Sequence, residues 1–353
     1  MRLSALLVSL AFAAPAFAAE PDKDGFTPMF DGKTLTGWVN VNCHPSTFFV
    51  KNGEIVTTGT PTGFLRTEKH YENFILEMEW KHVEKTKMAN SGLFVWGDPL
   101  PAVGTPYTRG IEVQVLANAE VKDSYTSDGD VFSIWGAKCK PDRPHPKGAE
   151  RCLPSEKRTK PAGEWNHYKV IANDGVIKLH VNGKEVSGVS QCSPRKGYLA
   201  LESEGAECHF RNIKIKELPS TNPKPEQVAK LAEGHKLLFN GLDLDGWKTE
   251  KDSWKAGGGV LKAVGKATIT TDAKFGDCEL IFDWKRPAKG PGDVTVEVGG
   301  SPMTLPIPLR GQVGGWNRQK LRIDNVKTPT PIAFHAAEGL ELMSIYVREL
   351  KEK

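Results

Sequence analysis

Several familiar functional patterns are missing from this sequence of 353 residues. It has no G-x-S-x-G, H-E-x-x-H or phosphate-loop motif, which argues against a serine hydrolase, a zinc protease and a nucleotide-binding enzyme. No C-x-x-C pair occurs among its six cysteines, so neither a zinc ribbon nor a thioredoxin-like redox site is indicated. The net charge is only +4, and no Lys/Arg cluster is interleaved with aromatics. Nothing therefore indicates a nucleic-acid partner.

Long apolar runs are also missing, except at the start of the chain. The stretch MRLSALLVSLAFAAPAFAAE has one positive residue, an apolar segment over residues 3–14 and an A-x-A pattern ending at Ala18. This is typical of a secretory signal peptide cleaved after Ala18, with a membrane anchor as the alternative. We expect a periplasmic or secreted protein with no membrane partner. Export permits disulfides, and Cys139 and Cys152, which flank a Pro-rich loop, are the first candidates for one.

A nine-residue phrase occurs twice, as FDGKTLTGW from Phe30 and as FNGLDLDGW from Phe239. Four further landmarks recur in the same order, among them YENFILEMEWK with FGDCELIFDWK and GEWNHYKV with GGWNRQKL. Five landmarks in one order indicate the duplication of a whole domain rather than a short-period repeat. The second copy lacks most of the loop-rich region around residues 90–161, so the first copy is predicted to be the working domain.

The domain organisation follows from this duplication. The stretch LPSTNPKPEQVAKLAEG contains three prolines and then a short helical pattern, which is typical of a linker. We predict a signal peptide over residues 1–18, a first domain over 19–218, a linker over 219–234, and a shorter, degenerate second copy over 235–353.

The strand patterns predict an all-β fold. GIEVQVL places Ile111, Val113 and Val115 on one face of a strand and Glu112 and Gln114 on the other. Similar period-two alternation recurs along the chain between Gly, Asn and Pro residues, and helical runs are few. This pattern favours two tandem antiparallel β-sandwiches, the second of them shorter.

Polar residues on a strand do not by themselves indicate a function. Antiparallel sheets commonly leave one face in water, which accounts for Glu77 and Glu79. Glu112 and Gln114 differ, because they follow the turn-rich loop GDPLPAVGTPYTRG, whose aromatic residue is Tyr107. A loop folded over a polar sheet face can form a sugar-binding groove.

Two other residues are weighed in the same way. Trp165 in GEWNHY recurs as Trp316, so it is predicted to be a core residue rather than a ligand contact. His82 ends a strand beside the predicted groove and is a candidate for the site.

Four segments of the first copy resemble the 3-keto-disaccharide hydrolase family: ANSGLFV, RGIEVQVLAN, GEWNHYKVIANDGVIKLHVNGKEV and GYLALESEGAECHFRNIKIKEL. The resemblance covers nearly all of residues 26–219 and is fainter over 237–350. It implies the concanavalin-like β-sandwich, or jelly-roll, fold. It also implies action on glycosides already oxidised to a ketone at sugar carbon 3, and it leaves a divalent metal cofactor open.

The resemblance extends to single positions. Glu112 and Gln114 match the family's E-x-Q strand, Asn90 and Ser91 match its N-S-G phrase, and Asp130 matches its G-D phrase.

Three positions depart from the family pattern. Ala117 stands where the family commonly has Asp, and Asp128 and Trp135 stand where it commonly has His. Asp128 could replace a histidine as a base or ligand, whereas Trp135 could only stack on a sugar ring.

Two functions are therefore predicted for a carbohydrate ligand, either a 3-keto-glycoside or another glycan. The first is an enzyme that removes the C2 proton of a 3-keto-glycoside, with Glu112 and Asp128 as catalytic residues. The second is a non-catalytic carbohydrate-binding module. Oligomeric state and cofactor stay open. The candidate substrate-binding residues are Lys81, His82, Asn90, Gln114, Asp130, Trp135, Glu202 and Glu204.

Overall fold

The computed structural model describes residues 20–118, 127–148, 150–286, 295–298, 300–304 and 315–350. These residues form 27 β-strands and a single short 3-10 helix, Pro225–Gln227. No helix in the described ranges has the length and apolar character needed to cross a membrane. The predicted signal peptide lies outside the described residues.

Sixteen strands build the first sandwich, from two antiparallel sheets. In chain order they are β1 (Thr27–Pro28), β2 (Trp38–Val41), β3 (Phe48–Lys51), β4 (Glu54–Thr57), β5 (Gly63–Thr67), β6 (Phe74–His82), β7 (Ala89–Gly97), β8 (Gly110–Ala117), β9 (Val131–Ile134), β10 (Lys138–Pro141), β11 (Arg151–Cys152), β12 (Asn166–Asn173), β13 (Val176–Val181), β14 (Lys184–Ser193), β15 (Tyr198–Ser203) and β16 (Cys208–Glu217). The nine-stranded sheet has the order β10-β14-β13-β12-β6-β16-β4-β3, with β1 paired to β16. The seven-stranded sheet has the order β11-β9-β8-β7-β15-β5-β2.

The remaining strands build a second sandwich from smaller antiparallel sheets. They are β17 (Lys236–Leu237), β18 (Trp247–Thr249), β19 (Trp254–Gly257), β20 (Val260–Ala263), β21 (Ala267–Phe275), β22 (Cys278–Lys285), β23 (Thr295–Val298), β24 (Ser301–Thr304), β25 (Trp316–Ile323), β26 (Thr330–Ala336) and β27 (Glu341–Glu349). One sheet has the order β19-β20-β27-β22-β25 with β17 beside β27, and the other has β18-β21-β26-β23-β24. The predicted tandem all-β fold is confirmed.

Alternating burial shows why these segments become strands. Along β6, Phe74, Leu76, Met78 and Trp80 face the interior, and the residues between them are half-buried. The interior face packs against the seven-stranded sheet and forms one apolar core. Trp80 meets Tyr168 edge to face, with ring centroids 5.3 Å apart. Truncating a side chain this large in a core costs about 3–5 kcal/mol of stability.

The duplicated nine-residue phrase folds in the same way in both copies. Its tryptophan donates from Nε1 to a main-chain carbonyl nine residues earlier: Trp38 to Met29 at 2.8 Å, and Trp247 to Leu238 at 3.0 Å. The phrase therefore closes a loop onto the edge of each sandwich. The later landmarks also correspond, because Trp80 pairs with Asn166 just as Trp284 pairs with Asn317.

Trp165 is not the core residue that its recurrence predicted. It is half-buried on the outer face of the nine-stranded sheet, where Lys81 Nζ lies 4.5 Å and Arg211 Cζ 3.9 Å from its ring centroid. In the second copy Lys285 lies 5.7 Å from the ring of Trp316. Both copies therefore keep a cationic side chain stacked on the indole ring at this position.

The predicted disulfide is also absent, since all six cysteines are unpaired and buried. Cys139 lies on β10 of the nine-stranded sheet, whereas Cys152 lies on β11 of the seven-stranded sheet. The sulfur of Cys139 instead contacts the carbonyl of Glu150, and the sulfur of Cys152 accepts from the amide of Gly188.

The two sandwiches meet at the outer face of the seven-stranded sheet. Ile281 and Tyr346 of the second sandwich pack with Phe64 and Phe94 of the first. Tyr346 also donates its hydroxyl to Asn42 Oδ1 at 2.6 Å. The second sandwich therefore covers part of the sheet face that the sequence predicted to carry the groove.

The predicted linker residues are held against the first sandwich. The amide of Ala229 donates to the carbonyl of Lys196, and the amide of Ala232 donates to the Tyr198 hydroxyl at 2.9 Å. The domain limits themselves stay a prediction.

One loop of the first sandwich is fixed by the second. Gly104, in the loop between β7 and β8, donates its amide to Asp283 at 3.0 Å, and Asp283 binds Arg318 through both carboxylate oxygens at 2.7 and 2.8 Å. Gly104 has φ +71°, and a Cβ there would lie 2.3 Å from Cγ of Trp316. Only glycine fits this contact without displacing the second sandwich.

We predict that Gly104→Ala loosens this contact between the sandwiches. The added methyl group must displace the Trp316 ring, so amide hydrogen exchange in the loop 98–109 should accelerate by at least about tenfold. Gly183→Ala is the matched control, because Gly183 has φ +88° and no neighbouring atom within 4 Å. It should cost about 1 kcal/mol through its backbone conformation alone. Equal loop exchange in the two variants would contradict the proposed packing.

Candidate functional site

Two glutamates meet over one glycine on the outer face of the seven-stranded sheet. The strand order β8-β7-β15 places Glu112 and Glu202 on either side of Gly92. A Cβ on Gly92 would lie 2.9 Å from an oxygen of each carboxylate. The glycine of the N-S-G phrase therefore leaves the space into which both carboxylates reach.

Aromatic neighbours keep water from these carboxylates. Phe94 lies opposite Glu112 in the β7–β8 pair, and Phe64 lies opposite Glu202 in the β5–β15 pair. Residues opposite each other in an antiparallel pair project to the same face. Glu112 is 6% exposed and Glu202 is fully buried.

Burial and mutual repulsion favour the protonated forms. Desolvation, followed by the charge of Glu204, raises the pKa of Glu112 to about 8, while the Arg151 cation acts against this rise. Desolvation also raises the pKa of Glu202 well above its ordinary value, with Glu112 and Glu204 adding to the effect. Charged carboxylates in a dry, crowded site are costly, so protons are retained there near neutral pH.

The third carboxylate, Glu204, is held by hydrogen bonds. The Tyr107 hydroxyl donates to Oε1 of Glu204 at 2.7 Å, and the Asn90 amide donates to Oε2. Gln114 in turn donates to Asn90 Oδ1 at 2.6 Å. This chain fixes the orientation of the Glu204 carboxylate.

A buried cation lies on the opposite side of Glu112. Arg151 Nη1 forms an ion pair with the buried Asp130 at 2.7 Å, and its guanidinium carbon lies 3.4 Å from the ring centroid of Phe132. Ser127 donates from its amide and hydroxyl to Asp130. Asp130 thus positions the arginine from behind the site.

An aromatic pair forms the outer wall. Trp135 is 53% exposed, and its ring is nearly parallel to that of Tyr107, with a centroid distance of 6.1 Å and an angle of 11°. An exposed indole can stack on the apolar face of a sugar ring. An open cleft of about 250 Å³ is lined by this aromatic wall, the three glutamates and Arg151.

The sequence matches the 3-keto-alpha-glucoside-1,2-lyase-like domain family over residues 25–216 and 234–302. The chain belongs to this family. The resemblance predicted from the sequence is thereby confirmed, and the second matched range includes much of the second sandwich.

Individual relatives of this family member are distant. This chain is 26% identical to a 3-keto-disaccharide hydrolase of Bacteroides thetaiotaomicron in an alignment 251 positions long, which covers 56% of this chain and 80% of that protein. It is 24% identical to the crystal structure of a candidate glycosyl hydrolase from Parabacteroides distasonis, with a TM-score of 0.42 and coverage of 56% and 95% of the two chains. A carbohydrate-binding module of Bacillus subtilis is 15% identical, with a TM-score of 0.38 and coverage of 52% and 98%.

Most of the candidate site residues predicted from the sequence lie close together in the structure. Asp130 lies directly behind Arg151. The residues that line the cleft itself are Asn90, Glu112, Gln114, Trp135, Glu202 and Glu204.

Three selected residues lie elsewhere. Lys81 points outward from the opposite, nine-stranded sheet and stacks on Trp165. His82 is fully buried between the sheets, where Nε2 lies 3.0 Å from the Val115 carbonyl oxygen and burial lowers the pKa of the imidazole. Asp128 accepts from the Thr159 hydroxyl at 2.6 Å and does not line the cleft. We therefore do not assign these side chains to the site.

Two residues that line the cleft, Phe132 and Arg151, are not among those predicted from the sequence, and Tyr107 is predicted only as part of a loop. Arg151 comes from the Pro-rich segment between two cysteines, and only the pairing of β11 with β9 brings it to Glu112. Tyr107 could have been selected, because it was the aromatic residue in the loop preceding the E-x-Q strand.

The carboxylates also bear on the metal ion that the family resemblance leaves open. Both oxygens of Glu202 are buried and accept no N–H donor among the described residues, and the neighbouring carboxyl group of Glu204 is the one side chain that interacts with them by hydrogen bonding. Carboxylate oxygens are preferred ligands of hard divalent cations such as Mg²⁺, Ca²⁺ and Mn²⁺. Glu112 and Glu202 therefore fit such a cation. The described lining of the cleft contains no histidine, so a zinc centre is not indicated.

We predict that Glu202→Gln stabilises the fold at pH 8. A carboxyl group with a raised pKa binds its proton more tightly in the folded chain, so its stabilising effect is full below the unfolded pKa and declines as the pH rises through the folded pKa. Burial, with the charges of Glu112 and Glu204, raises the pKa of Glu202 well above its ordinary value, so this decline extends to a pH well above that at which an ordinary glutamate titrates. Glutamine mimics the protonated form, so the free energy of unfolding should rise by about 1–3 kcal/mol at pH 8 and stay nearly unchanged at pH 5.

Denaturant titrations at both pH values measure this difference. Glu217→Gln is the control, because Glu217 forms an exposed ion pair with Lys69. It should change stability by less than about 1 kcal/mol at either pH. A loss of stability in Glu202→Gln at pH 8 would show that Glu202 is held as an anion.

Proposed function

We propose that this protein processes glycosides that carry a ketone at sugar carbon 3, eliminating the C1 substituent and so achieving net hydrolysis. The supporting observation is the pair of buried carboxylates, Glu112 and Glu202, which share the space above Gly92 beside the Arg151 cation. Membership of the family and the name of the Bacteroides relative support the same substrate class.

The chemistry explains why such a pair is suited to the task. The C3 carbonyl makes the C2 proton acidic, so a carboxylate can remove it and leave an enolate. The enolate electrons then form the C1–C2 double bond while the C1–O bond breaks, and the departing oxygen takes up a proton. Water adds to the resulting enone, placing a hydroxyl on C1 and a proton on C2. The reaction needs a base, an acid and positive charge near the enolate oxygen.

The described residues can take these roles. Glu112 borders the cleft, and its raised pKa lies close to working pH, which suits a proton acceptor. Burial raises the pKa of Glu202 well above its ordinary value, which suits it to donate a proton to the departing oxygen. Arg151, fixed by Asp130, supplies positive charge for the enolate oxygen. A hard divalent cation held by Glu112 and Glu202 would displace their protons and would supply Lewis-acid charge at that oxygen in place of these proton transfers.

Aglycone release from 4-nitrophenyl 3-keto-glucoside tests the proposal, with the unoxidised glucoside as the control substrate and with chelator present or absent. We predict that Glu112→Gln lowers turnover by about 10²–10⁴, because the amide keeps the shape but cannot accept the proton. The increase of kcat/KM with pH towards about pH 8 should disappear with it.

Glu77→Gln is the matched control variant, because Glu77 also lies on a strand but faces solvent beside Lys214 on the other sheet. It should retain wild-type turnover. Unchanged turnover in Glu112→Gln would remove Glu112 from the reaction, and equal hydrolysis of the unoxidised glucoside would remove the ketone requirement.

A non-catalytic carbohydrate-binding module is the second candidate. The exposed ring of Trp135 supports it, as does Ala117, which is buried in the core where the family commonly has a polar residue. Sugar binding without turnover of any 3-keto-glycoside would favour this function.

We further propose that the protein is exported and that residues 1–18 are removed. Cell fractionation followed by mass measurement should find a periplasmic or secreted chain that begins at Ala19. Recovery of an uncleaved chain in the membrane fraction would favour the anchor instead.

A further inference from the structure

A second, larger cleft of about 720 Å³ lies between the two sandwiches. The segments 98–103 and 230–235 line one part of it, and Ile281, Arg318 and Lys320 of the second sandwich line the other. Trp135 borders both this cleft and the acidic cleft described above. The two clefts are therefore neighbours that share the exposed ring of Trp135.

Exposed apolar side chains are concentrated at this cleft. Of the seven large apolar side chains that are exposed in the described residues, three line it: Val103 at 46%, Trp135 at 53% and Leu231 at 71% exposure. Leu100 and Ile281 add to the same surface. Single exposed apolar residues are ordinary, but several around one concavity indicate a binding surface.

Most charged side chains in the walls have partners, although none is seen among the described residues for the ammonium group of Lys230. Arg109 binds Asp98 at 2.8 Å, and Arg318 binds the buried Asp283. Arg66 donates to the carbonyls of Pro99 and Thr67 rather than into the cleft. These walls therefore offer little uncompensated charge to an ionic ligand.

One corner of the cleft resembles a metal site but is filled by an ammonium group. Glu233, His235 and Glu279 bring potential ligand atoms within 4.8 Å of one another. Lys320 Nζ lies 3.0 Å from Glu233 and 2.9 Å from Glu279, and Arg348 also contacts Glu279 at 3.2 Å. The two carboxylates are neutralised by these cations, which leaves the corner unsuited to a metal ion.

We propose that the cleft between the sandwiches is a subsite for an apolar, planar aglycone, whose sugar ring occupies the acidic cleft. The proposal rests on the proposed function for the placement of the sugar. An aryl ring buries apolar surface against Val103, Leu231 and Ile281 and needs no new hydrogen bonds. A second sugar would have to lose water from its hydroxyls against side chains most of which already have partners.

Calorimetric binding of unoxidised phenyl and methyl α-glucosides tests the subsite without turnover. The wild-type protein should bind the phenyl glucoside at least about tenfold more tightly, because only that ligand buries a ring in the cleft. Leu231→Ser and Val103→Ser should each reduce this ratio at least about threefold and leave methyl glucoside binding unchanged. Leu242→Ser is the control, since Leu242 is 39% exposed and lies outside the cleft.

Three outcomes would overturn the subsite. The first is a ratio of phenyl to methyl glucoside affinity near one, and the second is an affinity ratio that Leu231→Ser leaves unchanged. The third is a disaccharide, cellobiose, that binds as tightly as the phenyl glucoside and is weakened equally by Leu231→Ser. Turnover of the 3-keto derivatives separates this proposal from the proposed function. Selective binding of the phenyl glucoside without turnover of its 3-keto derivative supports the subsite and contradicts the proposed elimination. Equal turnover of the phenyl and methyl 3-keto-glucosides supports the proposed elimination and contradicts the subsite.

Discussion

Two carboxylates buried side by side above Gly92 are the constraint on which the rest of the site depends. Like charges this close cannot both be ionised in a dry environment without a large cost. The site limits that cost through retained protons on Glu112 and Glu202 and through the nearby Arg151 cation. The roles of the residues around the two carboxylates follow from this constraint. Asp130 holds the cation, and Phe64 and Phe94 keep the carboxylates out of water.

The second sandwich takes part in this arrangement although it contributes no residue to the acidic cleft in the described part of the chain. Ile281 and Tyr346 cover Phe64 and Phe94, the two rings beside the glutamates. Asp283 holds Gly104, in the loop that also carries Tyr107, and Tyr107 binds Glu204. The second sandwich thus helps to exclude water from the site in the first sandwich and to hold its side chains in place.

The sequence could predict what depends on local period and on repetition. Period two was sufficient to place Glu112 and Gln114 on one face, and the repeated phrase was sufficient to predict two sandwiches. Neither pattern could predict contacts between segments that are distant in the sequence. Nothing local showed that Lys81 would lie on the other sheet, and nothing local connected Arg151 with Glu112. The recurrence of Trp165 showed that both copies need an indole there, but not that the indole supports cations on the outer face.

The position of the second sandwich also has a consequence for the shape of the ligands that fit. A polymer can lie along a groove only when that groove is open at both ends. Here Ile281 and Tyr346 cover the sheet face next to the glutamates, and the loop fixed at Gly104 closes over the same side. On that side the space next to the glutamates is the cleft between the sandwiches, which Trp135 borders. If a sugar occupies the acidic cleft as proposed, the part of the ligand beyond it would meet the second sandwich rather than an open sheet face.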